Sequence, residues 1–170
     1  AADSRRFAPL AADAAVRHRN ALTRLMRKPS YVLVPVYFRA SLWVVPHTVL
    51  APFGFMHVAP VLLIPAADTQ GLTEALARVV AFGNPVAPKA TWTTVSAIVT
   101  ALSLKTERQF LKGTRLFHLR VFPDRVEVSE LPKANGQGFG GSAIESRSIP
   151  RTQSFTETAH DLRIRTEAAP

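Results

Sequence analysis

The stretch YVLVPVYFRASLWVVPHTVLAPFGFMHVAPVLLIPAA, residues 31–67, contains a single charged side chain, Arg39. Residues 40–67 hold no Asp, Glu, Lys or Arg. A run this apolar is stable only when it is removed from water, either in a bilayer or in a protein core. The choice between these two environments determines the fold class of the chain.

The first interpretation places residues 41–64 in a membrane. A spanning helix needs about 20 apolar residues, and this segment is long enough. Its basic flank lies on the N-terminal side only, which would keep that side in the matrix, cytoplasm or stroma. The three prolines Pro46, Pro52 and Pro60 predict a kinked or re-entrant helix surrounded by other protein.

The second interpretation folds the same residues as short buried strands at 31–38, 42–45 and 61–64. Val, Leu, Tyr and Trp suit strands, and the prolines would then lie at strand ends and turns. Hydrophobic periodicity does not separate a short buried strand from a buried helix, so both interpretations stay open from sequence alone.

Basic residues are concentrated before the apolar stretch. The chain has 21 Lys+Arg and 12 Asp+Glu, a net charge of +9, yet residues 14–67 contain no acid. Residues 10–28 lack Gly and Pro and predict a basic amphipathic helix, as found at membrane surfaces and on nucleic acids. The residues expected to contact lipid or an acidic partner are Arg17, Arg24, Arg27, Lys28 and Arg39.

The remaining chain predicts two helices and a hairpin. Asp68 can cap a helix that stops at Gly83, and residues 91–111 predict a second helix. Alternating segments at 115–122 and 125–131 predict a β-hairpin.

The predicted fold class is α+β, with the apolar segment either one transmembrane or re-entrant helix or buried strands. The predicted regions are a basic N-terminal helix or arm (1–30), an apolar membrane or core segment (31–67), a small α+β lobe (68–132), and a Gly-rich loop with an extended tail (133–170).

Two histidines, His47 and His57, lie inside the apolar stretch. Ten residues apart, they would not share a face of a straight helix. The favoured interpretation is a pair of hydrogen-bonded histidines at a buried or interfacial site. In a bilayer they would form a candidate intramembrane polar site, because ionisable groups there are costly unless they have a function.

No sequence motif indicates a reaction. The absence of cysteine excludes disulfide scaffolds, thiolate nucleophiles and cysteine metal sites. The histidine spacing matches no metal motif, and no nucleophile elbow or catalytic carboxylate pair is present. We therefore expect a non-enzymatic protein without a cofactor or resident metal.

These patterns favour an accessory subunit of a large organellar membrane complex. The Arg-rich start resembles the region around an organelle import signal. The expected location is the mitochondrial inner membrane, in a respiratory-chain or ATP-synthase assembly, with other subunits and anionic lipid as partners.

Two alternatives remain. The first is a basic organellar ribosomal protein, with Arg17, Arg19, Arg24, Arg27 and Arg120 on rRNA. Phe117, Arg120 and Phe122 give a weak stacking and charge pattern for this role. The second is a soluble α+β binding protein or enzyme of unknown activity.

Overall fold

The apolar stretch forms three consecutive antiparallel strands. The fold is taken from a computed structural model that describes residues 30–52, 54–88, 96–134, 138–151 and 154–167. Strand β1 (Val32–Arg39), strand β2 (Leu42–Ala51) and strand β3 (Gly54–Pro65) together account for nearly all of residues 31–67. The predicted basic helix over residues 10–28 lies outside the described residues.

The prediction of a membrane helix over residues 41–64 is wrong. These residues pair as β2 and β3, from Leu42 opposite Pro65 to Ala51 opposite Gly54. Pairing satisfies the backbone groups on the facing sides of these strands without a helix, whereas the outer side of β3 pairs with no described strand. Among the described residues, no helix is both long and apolar enough to cross a membrane.

Turn geometry joins β1 to β2. Ala40 and Ser41 both have positive φ, 48° and 62°, which is the backbone of a type I′ hairpin turn. The two strands pair only near this turn, from Tyr37–Arg39 to Leu42–Val44, and then separate. The buried side chain of Asn84 fills the separation: it accepts from Leu33 N at 2.6 Å and donates to the carbonyls of Leu33 and Thr48.

A bulge accommodates proline inside the sheet. The β2–β3 register shifts between Pro46 and His47, opposite the cis peptide Ala59–Pro60. Proline lacks the N–H that a ladder needs, and a bulge is one of the few sheet positions that tolerate this loss.

The sheet has six strands in the order β3-β2-β1-β4-β5-β8, and every pairing in it is antiparallel. The predicted hairpin is present as β4 (Arg115–Val121) and β5 (Arg125–Leu131). A separate two-stranded sheet joins β6 (Lys133–Ala134) to β7 (Gly138–Phe139), and β8 (Glu145–Pro150) forms one edge of the main sheet.

Of the two helices predicted after residue 67, the first is present and the second is replaced by two short ones. Helix α1 (Thr69–Phe82) begins where Asp68 accepts from Gly71 N at 2.8 Å and ends at Gly83. The single helix predicted over residues 91–111 is wrong. Within the described part of that range, α2 (Ala97–Ala101) and α3 (Glu107–Leu111) are two short helices separated by a turn in which Ser103 has a positive φ.

The prediction of an extended tail is also wrong. Strand β8 pairs with β5, and residues Thr156–Glu167 form helix α4. Phe155, Ala159 and Leu162 enter the main core, which gives this polar-looking segment a buried anchor. The fold is a mostly antiparallel six-stranded sheet with a few helices, in place of the helix-dominated arrangement that the sequence predicted.

The core has two parts, one on each face of the sheet. Helices α1 and α4 cover one face, where Trp43, Leu76 and Phe117 are fully buried. On the other face, α2 and α3 cover a smaller cluster that contains Tyr37, Ile98 and Phe110. Helix α1 packs mainly on β2 and also contacts β1 and β3, and β3 is the edge strand of the sheet.

Candidate functional site

Strand β3 is a long sheet edge without charge. Its twelve residues, Gly54–Pro65, include no Asp, Glu, Lys or Arg, and its outer side pairs with no described strand. Leu63 is 41% exposed on this strand. Soluble sheets normally protect their edges with charges, short strands or prolines, because an open edge is a template for another strand.

The opposite edge is protected in the usual way. Strand β8 has only six residues, Glu145–Pro150, and it carries two charged side chains. Glu145 pairs with Arg165, and Arg147 pairs with Asp161, both on α4. The two edges of one sheet therefore differ in length and charge, and β3 is the one whose composition favours strand pairing.

Prolines divide the β3 edge and leave a short window. Pro60 and Pro65 have no N–H to donate, and they flank the four residues Val61–Leu62–Leu63–Ile64. Each of these four has an N–H, and alternate residues of an edge strand direct their N–H and C=O groups outward. The window can accept a strand of about four residues.

A groove runs beside this window. It lies between residues 61–64 of β3 and helix α1, with a volume of about 560 Å³. Leu62 and Ile64 pack into the core on the α1 side, and Ala75 lines the helix wall. An added strand would place alternate side chains in this apolar groove.

The rim of the groove carries one cation that has no described partner. Arg78 is exposed at the groove and makes no ion pair or hydrogen bond among the described residues. The neighbouring Glu74 accepts from the side chain of Gln70 at 2.8 Å. Arg78 is thus positioned to contact a carboxylate on whatever occupies the groove.

The two sequence-predicted histidines lie on opposite faces of the sheet. His47 is opposite Val58, whereas His57 is opposite Thr48, and successive side chains of a strand alternate between faces. His47 is buried against Phe82 of α1, and its Nδ1 lies 2.6 Å from the carbonyl oxygen of Pro60. Because a carbonyl only accepts, Nδ1–H is the donor, and His47 satisfies a backbone group at the bulge.

His57 belongs to a polar cluster on the other face. Its Nε2 lies 3.2 Å from the hydroxyl of Tyr37, and the two rings meet edge to face. Burial, together with the smaller effect of the nearby His118, lowers the pKa of His57 to about 4. Burial also raises the pKa of Tyr37, and the charge of Glu107 adds to this rise. Both members of the pair are therefore neutral at pH 7.

A pocket of about 240 Å³ opens beside this pair. The rings of Phe110 and Phe139 lie 5.0 and 6.2 Å from the Tyr37 ring, measured between centroids. Ser96 and Glu107 are polar groups of the lining, and most of the remaining wall is apolar. Three neutral polar side chains and one carboxylate thus line a small space that also has aromatic walls.

The predicted lipid or acidic-partner contacts are only partly within the described chain. Arg17, Arg24, Arg27 and Lys28 lie outside it. Arg39 ends β1, and its guanidinium donates to the carbonyl of Lys112 at 2.9 Å. Of the proposed rRNA-stacking residues, Phe117 lies in the core, and Arg120 pairs with Glu127.

Sequence reasoning did not identify Tyr37, Glu107 or Phe139 as one site. They come from β1, α3 and β7, and only the folded sheet brings them together. A local signal did exist for the β3 edge, since the absence of charge over residues 40–67 is visible in the sequence. That signal is compatible with a membrane span as well as with buried strands, and the hypothesis of a membrane-complex subunit rested on the first.

Comparisons with known proteins show the fold alone. No protein-family model matches the chain, and the comparison with curated proteins gives no match. Among solved structures, the fold is similar to that of a protein of unknown function, NMB0488 from Neisseria meningitidis. The TM-score is 0.62 and the sequence identity is 11%, over 82% of this chain and 96% of that one.

Proposed function

We propose that this protein is a non-catalytic binding module that receives an extended segment of another polypeptide on the β3 edge. The observation that carries the proposal is the uncharged twelve-residue edge strand, with its open window at residues 61–64. Backbone hydrogen bonds would supply affinity, and the groove beside α1 would select side chains.

The groove defines the chemistry of the partner segment. Leu62, Ile64 and Ala75 favour apolar side chains at alternate positions, and Arg78 favours one carboxylate at the rim. The expected partner is an extended, apolar segment of about four residues with an Asp, a Glu or a C-terminal carboxylate. This proposal keeps the accessory-subunit hypothesis as a partner-binding role and drops its membrane-spanning helix.

Peptide selection tests the proposal directly. Random octapeptides displayed on phage are selected on the wild-type protein, and the affinity of the best peptide is measured by fluorescence anisotropy. Leu63→Lys places a charge on the edge, and we expect it to weaken binding at least tenfold. Ile144→Lys is the matched control because Ile144 is 66% exposed outside β3. We expect this control to bind within twofold of wild type.

Three outcomes contradict the proposal. One is equal binding by wild type and Leu63→Lys, and another is equal loss in both variants. The third is a concentration-dependent dimer that Leu63→Lys abolishes, because the edge would then be occupied by a second copy of this chain. Circular dichroism of each variant confirms that a loss of binding is not a loss of folding.

A further inference from the structure

The pocket beside Tyr37 and His57 lies on the sheet face opposite the β3–α1 groove. Its lining comes from six elements or their ends, and it includes Tyr37, His57, Glu107, Phe110 and Phe139. Partner binding at the β3 window uses none of these side chains. A ligand of this pocket would therefore be different from the partner segment at the β3 window.

The charges around the pocket favour a cation. Burial keeps His57 neutral at pH 7, and Tyr37 is neutral for the same reason. Among the described residues of the lining, Glu107 is the one formally charged group, and it makes no ion pair with any other described residue. The described part of the lining thus has a net charge of −1 at neutral pH.

The aromatic walls favour the same kind of ligand. The ring faces of Tyr and Phe attract cations through their quadrupole, most strongly where water is excluded. Tyr37 is buried in contact with Phe110 and Phe139, so this aromatic cluster is fixed by packing. A carboxylate and aromatic rings in one lining are a combination suited to an organic ammonium group.

Volume limits the size of the ligand. An apolar cavity of about 150 Å³ holds one benzene molecule. The pocket here measures about 240 Å³, which allows one six-membered ring and a short substituent. Apolar side chains such as Ile98 and Leu116 would contact the ring.

We infer that this pocket binds a small organic cation: a protonated amine attached to an apolar body the size of one ring. The ammonium group contacts the carboxylate of Glu107, and the body lies against Tyr37, Phe110 and Phe139. The site is distinct from the groove between residues 61–64 and α1, because the two share no described lining residue.

Three probes of the same size and different charge test this inference. Benzylammonium, benzyl alcohol and benzoate are titrated into the wild-type protein at pH 7 and followed by NMR chemical shifts. We expect saturable binding of benzylammonium, with shifts centred on Phe110 and Phe139. Benzyl alcohol should bind at least tenfold more weakly because it lacks the charge, and benzoate should not bind.

Variants assign the charge contact. Glu107→Gln keeps the shape of the side chain. It should weaken the binding of benzylammonium at least tenfold and leave the binding of benzyl alcohol unchanged. Glu157→Gln is the control, because Glu157 is an exposed acid of α4 away from the pocket. Phe139→Ala should weaken the binding of both compounds, because it removes one aromatic side chain of the lining.

The inference is overturned if benzylammonium shows no saturable shifts up to 10 mM, an amount about tenfold above a millimolar Kd. Equal binding of benzylammonium and benzyl alcohol would overturn the charge assignment. Unchanged affinity in Glu107→Gln would do the same. Backbone amide spectra of each variant show whether it remains folded.

Discussion

At the scale of single residues, burial gives the two histidines of the apolar stretch different tasks. His47 donates to the carbonyl of Pro60 and thereby satisfies a backbone group at the bulge. His57 faces Tyr37, and the electrostatic effect of the nearby His118 lowers its pKa. Charging His57 would place a cation in an apolar site beside another basic group, so the folded protein resists its protonation.

This resistance predicts a pH-dependent stability. The pKa of His57 is about 4 in the folded protein, against 6.5 for the free side chain. Between these values the unfolded chain binds more protons, so the free energy of unfolding is highest above pH 6.5 and decreases as the pH falls to 4. The contribution of His57 is at most about 3 kcal/mol. Urea unfolding at pH 7, 6, 5 and 4 measures this decrease.

The matched variants isolate the histidine. His57→Gln keeps a hydrogen-bonding group for Tyr37 and removes one titration, so it should reduce the slope of the pH profile between 6.5 and 4. His118, whose pKa burial also lowers, keeps its own part of the slope. His160→Gln changes an exposed histidine of α4 and should leave the profile as in wild type. A wild-type slope retained in His57→Gln would show that other groups cause the pH dependence.

The residue-scale positions could not be read from the sequence. The expectation that His47 and His57 lie on different faces assumed a straight helix, which these residues do not form. The β2–β3 register, with the bulge at Pro46, determines which face each histidine occupies. Glu107 approaches Tyr37 across 70 residues of sequence, and no local pattern indicates that contact.

At the scale of elements, α4 is held to β8 by charge as well as by its buried apolar residues. Arg165 is only 9% exposed, and its Nε donates to Asp161 at 2.7 Å. Arg147 donates to the other oxygen of the same carboxylate, and Glu145 approaches Nη1 of Arg165 at 3.2 Å. This arrangement explains why a segment with few apolar residues is ordered as a helix on the sheet.

Removing the Asp161 carboxylate should therefore lower the free energy of unfolding. Asp161→Ala leaves the buried Arg165 with Glu145 as its remaining ion-pair partner, and we expect a loss of about 3 kcal/mol in the free energy of unfolding. The double variant Asp161→Leu with Arg165→Met replaces the buried pair by apolar groups and should lose less. Urea unfolding compares the two, and a double variant as unstable as Asp161→Ala would contradict this account.

Elements with strong local signals could be predicted, and the others depended on tertiary pairing. The cap at Asp68 and the stop at Gly83 delimit α1 in the sequence, and alternation marks the β4–β5 hairpin. The apolar strands carry no polar alternation because β1 and β2 lie inside the sheet with cover on both faces. Their pattern therefore resembled a membrane span. Strand β8 is recognisable only through its pairing with β5.

At the scale of the whole molecule, more than half of the net charge comes from residues 1–29, before the described fold. Residues 1–29 contain seven basic and two acidic side chains, so they supply +5 of the net +9. Many charges of the described fold are paired with one another, as in the Arg115–Glu130 and Arg147–Asp161 contacts. The sheet itself has an uncharged edge strand, β3, and the proposed binding of a partner segment depends on that strand.

Amide hydrogen exchange on β3 is the measurement that tests this central claim most directly. The exchange of the four amides in residues 61–64 is followed by NMR with and without a saturating octapeptide selected on the protein. We predict at least tenfold slower exchange at the outward-facing amides of this window and unchanged exchange along Glu145–Pro150 of β8. Slowed exchange on β8, or no change in residues 61–64 while the peptide is bound, would contradict the account.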